Sequence, residues 1–233
     1  MNSVTLVLLQ GLLNDARLWS RQIAGLSGRA AAFVPDLTGA DSIAALAAGV
    51  LRQAPGGSFA LAGLSMGGYV ALEIIRQAPE RVAALALLDT SARPDAPEAT
   101  EARRRLLHLA ETDFPAVTET LLPRLLHPSR RNDRAVADVV RDMARRVGKE
   151  AFLRQERAIM GRADSRPLLP AIACPTLVAC GREDAITPAE VHEEMAGRIP
   201  GADLAVIDAC GHLSPLERPD EVTELLRRWL KRL

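Results

Sequence analysis

Short apolar runs alternate with amphipathic helical patterns along most of the chain. The runs are almost continuously hydrophobic, which is typical of strands covered on both faces. Stretches with helical spacing, such as SIAALAAGVLRQA (42–54) and GGYVALEIIRQAP (67–79), separate most of them. This alternation predicts an α/β fold with a doubly wound, mostly parallel sheet of about six strands. The predicted strands are Val4–Leu9, Ala31–Asp36, Ser58–Gly63, Val82–Asp89, Pro175–Gly181 and Ala202–Asp208.

Residues 92–173 interrupt this alternation. A Pro- and Glu-rich entry leads into several amphipathic helical patterns without a clear strand, and Asn132 is a plausible N-cap for one of them. The many arginines of this region are interpreted as solvated helix faces. We therefore predict an α/β core formed by residues 1–91 and 174–233, with a helical cap or lid over residues 92–173.

The segment GLSMGG places Ser65 where an apolar strand gives way to a helical pattern. A sharp strand-to-helix turn needs small neighbours, which Gly63, Gly67 and Gly68 provide, and it holds the hydroxyl above the sheet. The first N–H groups of the helix, led by that of Met66, would face an oxyanion. The alternative is an ordinary glycine-rich turn with Ser65 as N-cap, and the strand–helix context disfavours it. Ser65 is the predicted nucleophile.

A serine nucleophile needs a base and a group that orients the base. Of the four histidines, His212 alone follows a predicted strand on a loop, at the carboxyl edge that also carries Ser65. Asp184 follows the fifth predicted strand at the same edge and is the favoured acid. Asp89, which ends the fourth predicted strand, is a competitor for that role.

Acyl transfer also needs a second oxyanion donor, which the loop after the first strand supplies in such sites. Gly11 lets that loop turn tightly, and the backbone N–H of Leu12 is the best candidate donor. The simpler interpretation of Gly11 is a turn after a strand.

Together these segments resemble the α/β-hydrolase superfamily over nearly the whole chain. GLSMGG, GREDAITP (181–188) and CGHLSPLERP (210–219) occur in the family's order Ser, Asp, His, and VPDLTGADS (34–42) is similar to another family segment. The resemblance implies a Ser-Asp-His triad. The chain departs from the family pattern in two ways. Gln10 replaces a histidine that is common in the family. The chain also begins on the strand leading to the oxyanion loop, so the family's first two strands are expected to be absent.

Composition narrows the possible partners. The 233 residues are 48% hydrophobic, which suits one globular domain, and 29 basic residues balance 29 acidic ones. This balance gives no reason to expect nucleic acid or a membrane as a partner. The N-terminal sequence lacks the basic start of a signal peptide, so a cytoplasmic location is expected. The three cysteines show no metal-binding spacing, and no metal or cofactor is expected.

The sequence therefore predicts a serine hydrolase that acts on a small-molecule carboxylic ester, thioester or lactone through an acyl-enzyme. Trp19, Tyr69, Met143 and Met160 are candidate pocket-lining residues, with simple core packing as the alternative for each. The same scaffold supports acyl transfer, C–C hydrolysis and lyase chemistry, and some of its members act as small-molecule receptors or regulatory partners. The oligomeric state is left open.

Overall fold

The computed structural model describes residues 4–233, and its centre is a six-stranded, all-parallel sheet with strand order β2-β1-β3-β4-β5-β6. The predicted fold class is confirmed, and each strand lies within two or three residues of its expected bounds. The parallel pairing makes the carboxyl ends of all six strands meet at one edge of the sheet. The strands are β1 Val4–Leu9, β2 Ala30–Phe33, β3 Phe59–Leu64, β4 Val82–Leu88, β5 Thr176–Gly181 and β6 Asp203–Ile207.

Helices cover both faces of this sheet, and short 3-10 turns join several of the elements. Strands β1, β3, β4 and β5 are buried on both sides, which explains their nearly continuous apolar sequences. The edge strands β2 and β6 are more exposed. The helices are α1 Ser20–Gly25, α2 Ile43–Gln53, α3 Met66–Gln77, α4 Pro97–Thr112, α5 Phe114–Leu125, α6 Arg134–Met160, α7 Ala189–Arg198, α8 Ser214–Glu217 and α9 Pro219–Leu230.

Residues 92–173, which we call the insertion, contain α4, α5 and α6 and no strand. Helix α6 is kinked at Gly148, whose φ of 80° is left-handed. The side chain that caps α6 is that of Asp133, which accepts a hydrogen bond from the N–H of Ala135, so the expectation that Asn132 is the N-cap is wrong by one residue. The division of the chain into core and cap remains a prediction.

Two apolar clusters pack on opposite faces of the sheet. One contains Tyr69 and most of α3 together with α2, and the other contains Trp19, Met143 and Trp229. A third, smaller cluster lies within the insertion and reaches Leu13 in the loop after β1. This packing holds the insertion against the carboxyl edge of the sheet, where the candidate site lies.

Candidate active site

Ser65 occupies the turn between β3 and α3 with a φ of 53° and a ψ of −115°, a backbone conformation that non-glycine residues rarely adopt. The strain is held by hydrogen bonds: its N–H donates to the carbonyl of Leu88 at 3.0 Å, and its carbonyl accepts from the hydroxyl of Thr90 at 2.7 Å. A Cβ on Gly63 would lie 2.3 Å from the carbonyl oxygen of Gly67. The glycines therefore permit the close approach of strand and helix that the turn requires.

Ser65, His212 and Asp184 form one hydrogen-bonded chain. The Nε2 atom of His212 lies 2.8 Å from Ser65 Oγ, and its Nδ1 atom lies 2.7 Å from Asp184 Oδ2. The side chains of His212 and Asp184 are 2% and 0% exposed. The structure thus brings together the three residues that the sequence predicted. An imidazole between a hydroxyl and a carboxylate can take the hydroxyl proton while the carboxylate stabilises the resulting cation.

The electrostatics of the pair favour an ionised Asp184 and a basic His212. Burial alone would raise the pKa of Asp184, but the adjacent His212 and the hydrogen bonds from Thr187 outweigh it and lower that pKa. Burial alone would lower the pKa of His212, but the charge of Asp184 and its hydrogen bond raise that pKa above its ordinary value. The carboxylate is therefore held ready to stabilise the imidazolium.

Asp89, the competing acid, has a different position. It is fully buried, its Oδ1 accepts from the N–H of Gly181 at 2.9 Å, and its Oδ2 accepts from the hydroxyl of Ser214 at 2.5 Å. Burial, with the nearby Asp184 charge, raises the pKa of Asp89 to about 8. Asp89 thus ties the end of β4 to β5 and to the loop after His212, whereas Asp184 is the residue that contacts the imidazole.

Two backbone N–H groups are free beside Ser65. Those of Leu12 and Met66 have no hydrogen-bond acceptor within residues 4–233. Gly11 is so close that a Cβ there would lie 3.3 Å from the Cβ of Ser65, and the N–H of Leu13 donates to Gln155 of the insertion at 3.1 Å. The two free groups are thus available to an oxyanion.

Gln10 does not take part in the hydrogen-bonded chain of Ser65, His212 and Asp184. Its side chain is buried, and its Nε2 donates to the carbonyl oxygen of Pro35 at 2.9 Å. Its Oε1 is buried without a hydrogen-bond partner in the described part of the chain. Gln10 therefore joins the ends of β1 and β2.

Glu217, a residue that the sequence analysis missed, fixes the loop that carries His212. Its Oε1 accepts from the N–H groups of Gly211 and Leu213 at 3.0 and 3.3 Å, and its Oε2 accepts from the N–H of His127 at 2.7 Å. The side chain is fully buried. Glu217 is the last residue of the short helix α8. The amino-acid pattern does not show which backbone N–H groups its carboxylate would bind.

A cavity of about 470 Å³ opens above Ser65 and His212, bounded by the core and the insertion. Tyr69, one of the four predicted lining residues, lies on its wall. The other three do not: Trp19 and Met143 belong to the apolar cluster on one face of the sheet, and Met160 lies outside the cavity wall. Trp19 and Met143 instead pack in the core. Apolar side chains form much of the wall, among them Leu12, Leu13, Leu106, Leu121, Leu125, Val140, Ile159, Ile186 and Val191.

The cavity also has a charged wall that the sequence analysis did not foresee. Arg103 of α4, Arg162 after α6 and Asp95 line it, and Glu156 of α6 is buried behind Arg103. In the sequence these residues resemble the solvated charges of a helix face. Only the folding of the insertion over the sheet turns them towards the cavity.

No helix in residues 4–233 is both long and apolar enough to cross a membrane.

Fold and site together define an α/β-hydrolase. Residues 6–225 match the Alpha/beta hydrolase family, and the chain belongs to that family.

The chain is similar to proteins named as hydrolases and esterases. It is 28% identical over 235 residues to the pimeloyl-(acyl-carrier protein) methyl ester esterase of Nitrosomonas europaea, covering 94% of this chain and 93% of that protein. Alignments with eight curated relatives cover 56% to 93% of the relatives' lengths. The chain therefore spans less than two thirds of the length of some of these relatives.

Two solved structures extend this similarity. A thermophilic esterase from Thermogutta terrifontis with malate bound has a TM-score of 0.92 and 37% identity, over 99% of this chain and 90% of that one. The enol-lactonase from Burkholderia xenovorans LB400 has a TM-score of 0.88 and 26% identity, over 99% and 92%.

Proposed function

We propose that the protein is a serine hydrolase that cleaves small carboxylic esters through an acyl-enzyme. The observation that carries this proposal is the hydrogen-bonded chain from Ser65 Oγ through His212 to Asp184, at 2.8 and 2.7 Å. The relatives support it, since they include esterases and an enol-lactonase. Thioesters and lactones undergo the same acyl transfer and belong to the same proposed substrate class.

The reaction begins with proton transfer. Ser65 Oγ attacks the ester carbonyl carbon while His212 Nε2 takes the hydroxyl proton, and Asp184 stabilises the imidazolium through Nδ1. The carbonyl oxygen becomes an oxyanion that accepts hydrogen bonds from the free N–H groups of Leu12 and Met66. Each of these donors contributes about 3 kcal/mol to transition-state stabilisation.

Collapse of this intermediate breaks the bond to the alcohol oxygen, which leaves with the proton from His212. The acyl group is now bonded to Ser65 Oγ. A water molecule then attacks the acyl carbon, with His212 as its base, and a second oxyanion forms at the same N–H groups. Its collapse returns the proton to Ser65 and releases the carboxylic acid.

The insertion acts as the cap of this site. Its helices supply part of the cavity wall, including Leu106 of α4, Leu121 of α5 and Val140 of α6. A cavity of about 470 Å³ with apolar walls fits a small acyl group and its alcohol.

A comparison of serines in the same cavity tests the proposal. Ser65→Ala removes the nucleophile, whereas Ser91→Ala alters another serine of the cavity wall whose hydroxyl accepts from the N–H of Arg93. We expect hydrolysis of ethyl butanoate to fall by about 10⁴-fold or more in Ser65→Ala, and to change little in Ser91→Ala. Equal activity of the two variants would contradict the proposal.

A further inference from the structure

The charged wall of the cavity is built from two arginines that share one acid. Asp95 Oδ1 accepts from Arg162 Nη1 at 2.6 Å and from Arg103 Nε at 3.3 Å, and Glu156 Oε2 accepts from Arg103 Nη1 at 2.8 Å. The side chains of Arg103 and Arg162 are 17% and 9% exposed, and those of the two acids are nearly or fully buried. These ion pairs fix both guanidinium groups in place. We call Arg103 and Arg162 the arginine pair.

Each member of the arginine pair has an unused nitrogen. Neither Arg103 Nη2 nor Arg162 Nη2 has a hydrogen-bond acceptor within residues 4–233. Neither atom is enclosed by protein, and both residues line the cavity. Because each Nη2 carries two N–H bonds, the wall offers donors that no group in the described part of the chain uses.

The arginine pair lines the same cavity as the candidate nucleophile. Tyr69 follows Ser65 by one turn of α3, and the guanidinium carbon of Arg162 lies 4.4 Å from the centre of the Tyr69 ring. This stacking adds a cation–π contact that orients the guanidinium plane. An acyl chain bound in this largely apolar cavity therefore has both the Ser65 hydroxyl and the arginine pair on its walls.

The pKa values of the two acids that hold the arginine pair are shifted in opposite directions. The hydrogen bond from Arg162 and the charge of Arg103 overcome burial and lower the pKa of Asp95, so this acid stays ionised. Burial raises the pKa of Glu156, against the opposing effect of Arg103, and its buried Oε1 has no hydrogen-bond partner among residues 4–233. Planar guanidinium groups bind carboxylates through paired hydrogen bonds.

We propose that the arginine pair is a carboxylate subsite, and that the substrate is an ester whose acyl chain ends in a free carboxylate, the monoester of a short dicarboxylic acid. This inference rests on the proposed function, because it names the substrate class of the same site. The competing explanation is that the ion pairs only fasten the insertion to itself. That role would affect all esters alike, whereas a subsite discriminates between charged and neutral acyl chains.

Matched esters separate these explanations. The kcat/KM values for the monoethyl esters of succinate, glutarate and adipate are compared with those for ethyl butanoate, pentanoate and hexanoate, which have the same acyl lengths without the charge. The ratio of charged to neutral substrate is measured in the wild type, in Arg103→Gln and in Arg104→Gln. Arg104 is the matched control, because it is the next residue of α4 and its side chain is 66% exposed.

We expect the wild type to prefer at least one monoester, and Arg103→Gln to lower that charged-to-neutral ratio by about tenfold to a hundredfold. Arg104→Gln should leave the ratio unchanged. A wild type without this preference, or an unchanged ratio in Arg103→Gln, would overturn the subsite.

A binding measurement covers the case in which Arg103→Gln does not fold. Calorimetry on Ser65→Ala compares monoethyl glutarate with ethyl pentanoate, and tighter binding of monoethyl glutarate supports the subsite while equal binding overturns it. The two proposals are contradicted by different results. No hydrolysis of any ester, with monoethyl glutarate still bound, contradicts the proposed function alone, whereas hydrolysis of neutral esters without preference contradicts the subsite alone.

Discussion

The backbone N–H of His212 donates to the carbonyl oxygen of Leu125, 2.9 Å away at the end of α5. The loop that carries the imidazole is therefore bonded directly to the insertion as well as to the core. Glu217 reinforces this link, because one of its oxygens accepts from the loop and the other from the N–H of His127, just beyond α5. The position of the candidate base thus depends on how the insertion packs.

Glu217→Gln tests this link. The new amide group would meet a backbone N–H that now donates to a carboxylate oxygen, so a buried donor loses its acceptor. We expect the free energy of unfolding to fall by about 1–3 kcal/mol, and kcat to fall with it. Urea unfolding and ester hydrolysis measure the two effects. Glu224→Gln is the control, since Glu224 forms only partly exposed ion pairs with Arg227 and Arg228, and a comparable loss there would contradict the account.

The turn at Ser65 predicts that alanine substitution at two glycines has opposite effects on the free energy of unfolding. In Gly63→Ala the new Cβ would lie 2.3 to 2.7 Å from backbone atoms of Gly67 and Gly68. Because these are backbone atoms, no side-chain rotation can relieve the clash. We expect a loss of about 3 kcal/mol or more in the free energy of unfolding. Gly197→Ala in α7 meets no atom within 4 Å and should stabilise the protein by about 0.5–1 kcal/mol. Thermal unfolding of both variants checks the contrast, and equal effects would refute it.

The pH dependence of kcat/KM should reflect the pKa of His212. The base works only when the imidazole is neutral, so activity falls as pH drops through its pKa. Because Asp184 raises that pKa above the ordinary value, the acid limb should have its midpoint above about 6.5. Rates between pH 4.5 and 9 with a neutral ester measure it. A midpoint well below 6.5 would show that Asp184 does not raise the pKa of this histidine.

Changing Asp184 to asparagine should lower kcat far more than the same change at Asp89. Asp184→Asn removes the charge that stabilises the imidazolium, and kcat should fall by about 10³- to 10⁴-fold. Asp89 makes no hydrogen bond to the imidazole within the described residues, since its oxygens accept from the N–H of Gly181 and from Ser214. Asp89→Asn should therefore keep kcat within about tenfold of the wild type. The reverse order of losses would make Asp89 the acid.

The sequence was sufficient for the sheet and for the Ser65, Asp184 and His212 arrangement, because strand–helix alternation and short loop motifs are local signals. It was not sufficient for the cavity wall. Trp19 and Met143 are apolar because they pack in the core, and their pattern indicates burial without identifying the neighbours. Arg103 looked like a solvated charge, since helical spacing does not show which face of the insertion turns inwards.

Intact-mass spectrometry after brief exposure to a fluorophosphonate tests the central claim most directly. Such a probe bonds quickly to a serine that is activated by a base and faces an oxyanion hole. We expect a single adduct on the wild type, none on Ser65→Ala, and labelling of His212→Ala slowed by about a hundredfold or more. A folded wild type that stays unlabelled, or an adduct that persists in Ser65→Ala, would contradict the assignment of Ser65 as an activated nucleophile.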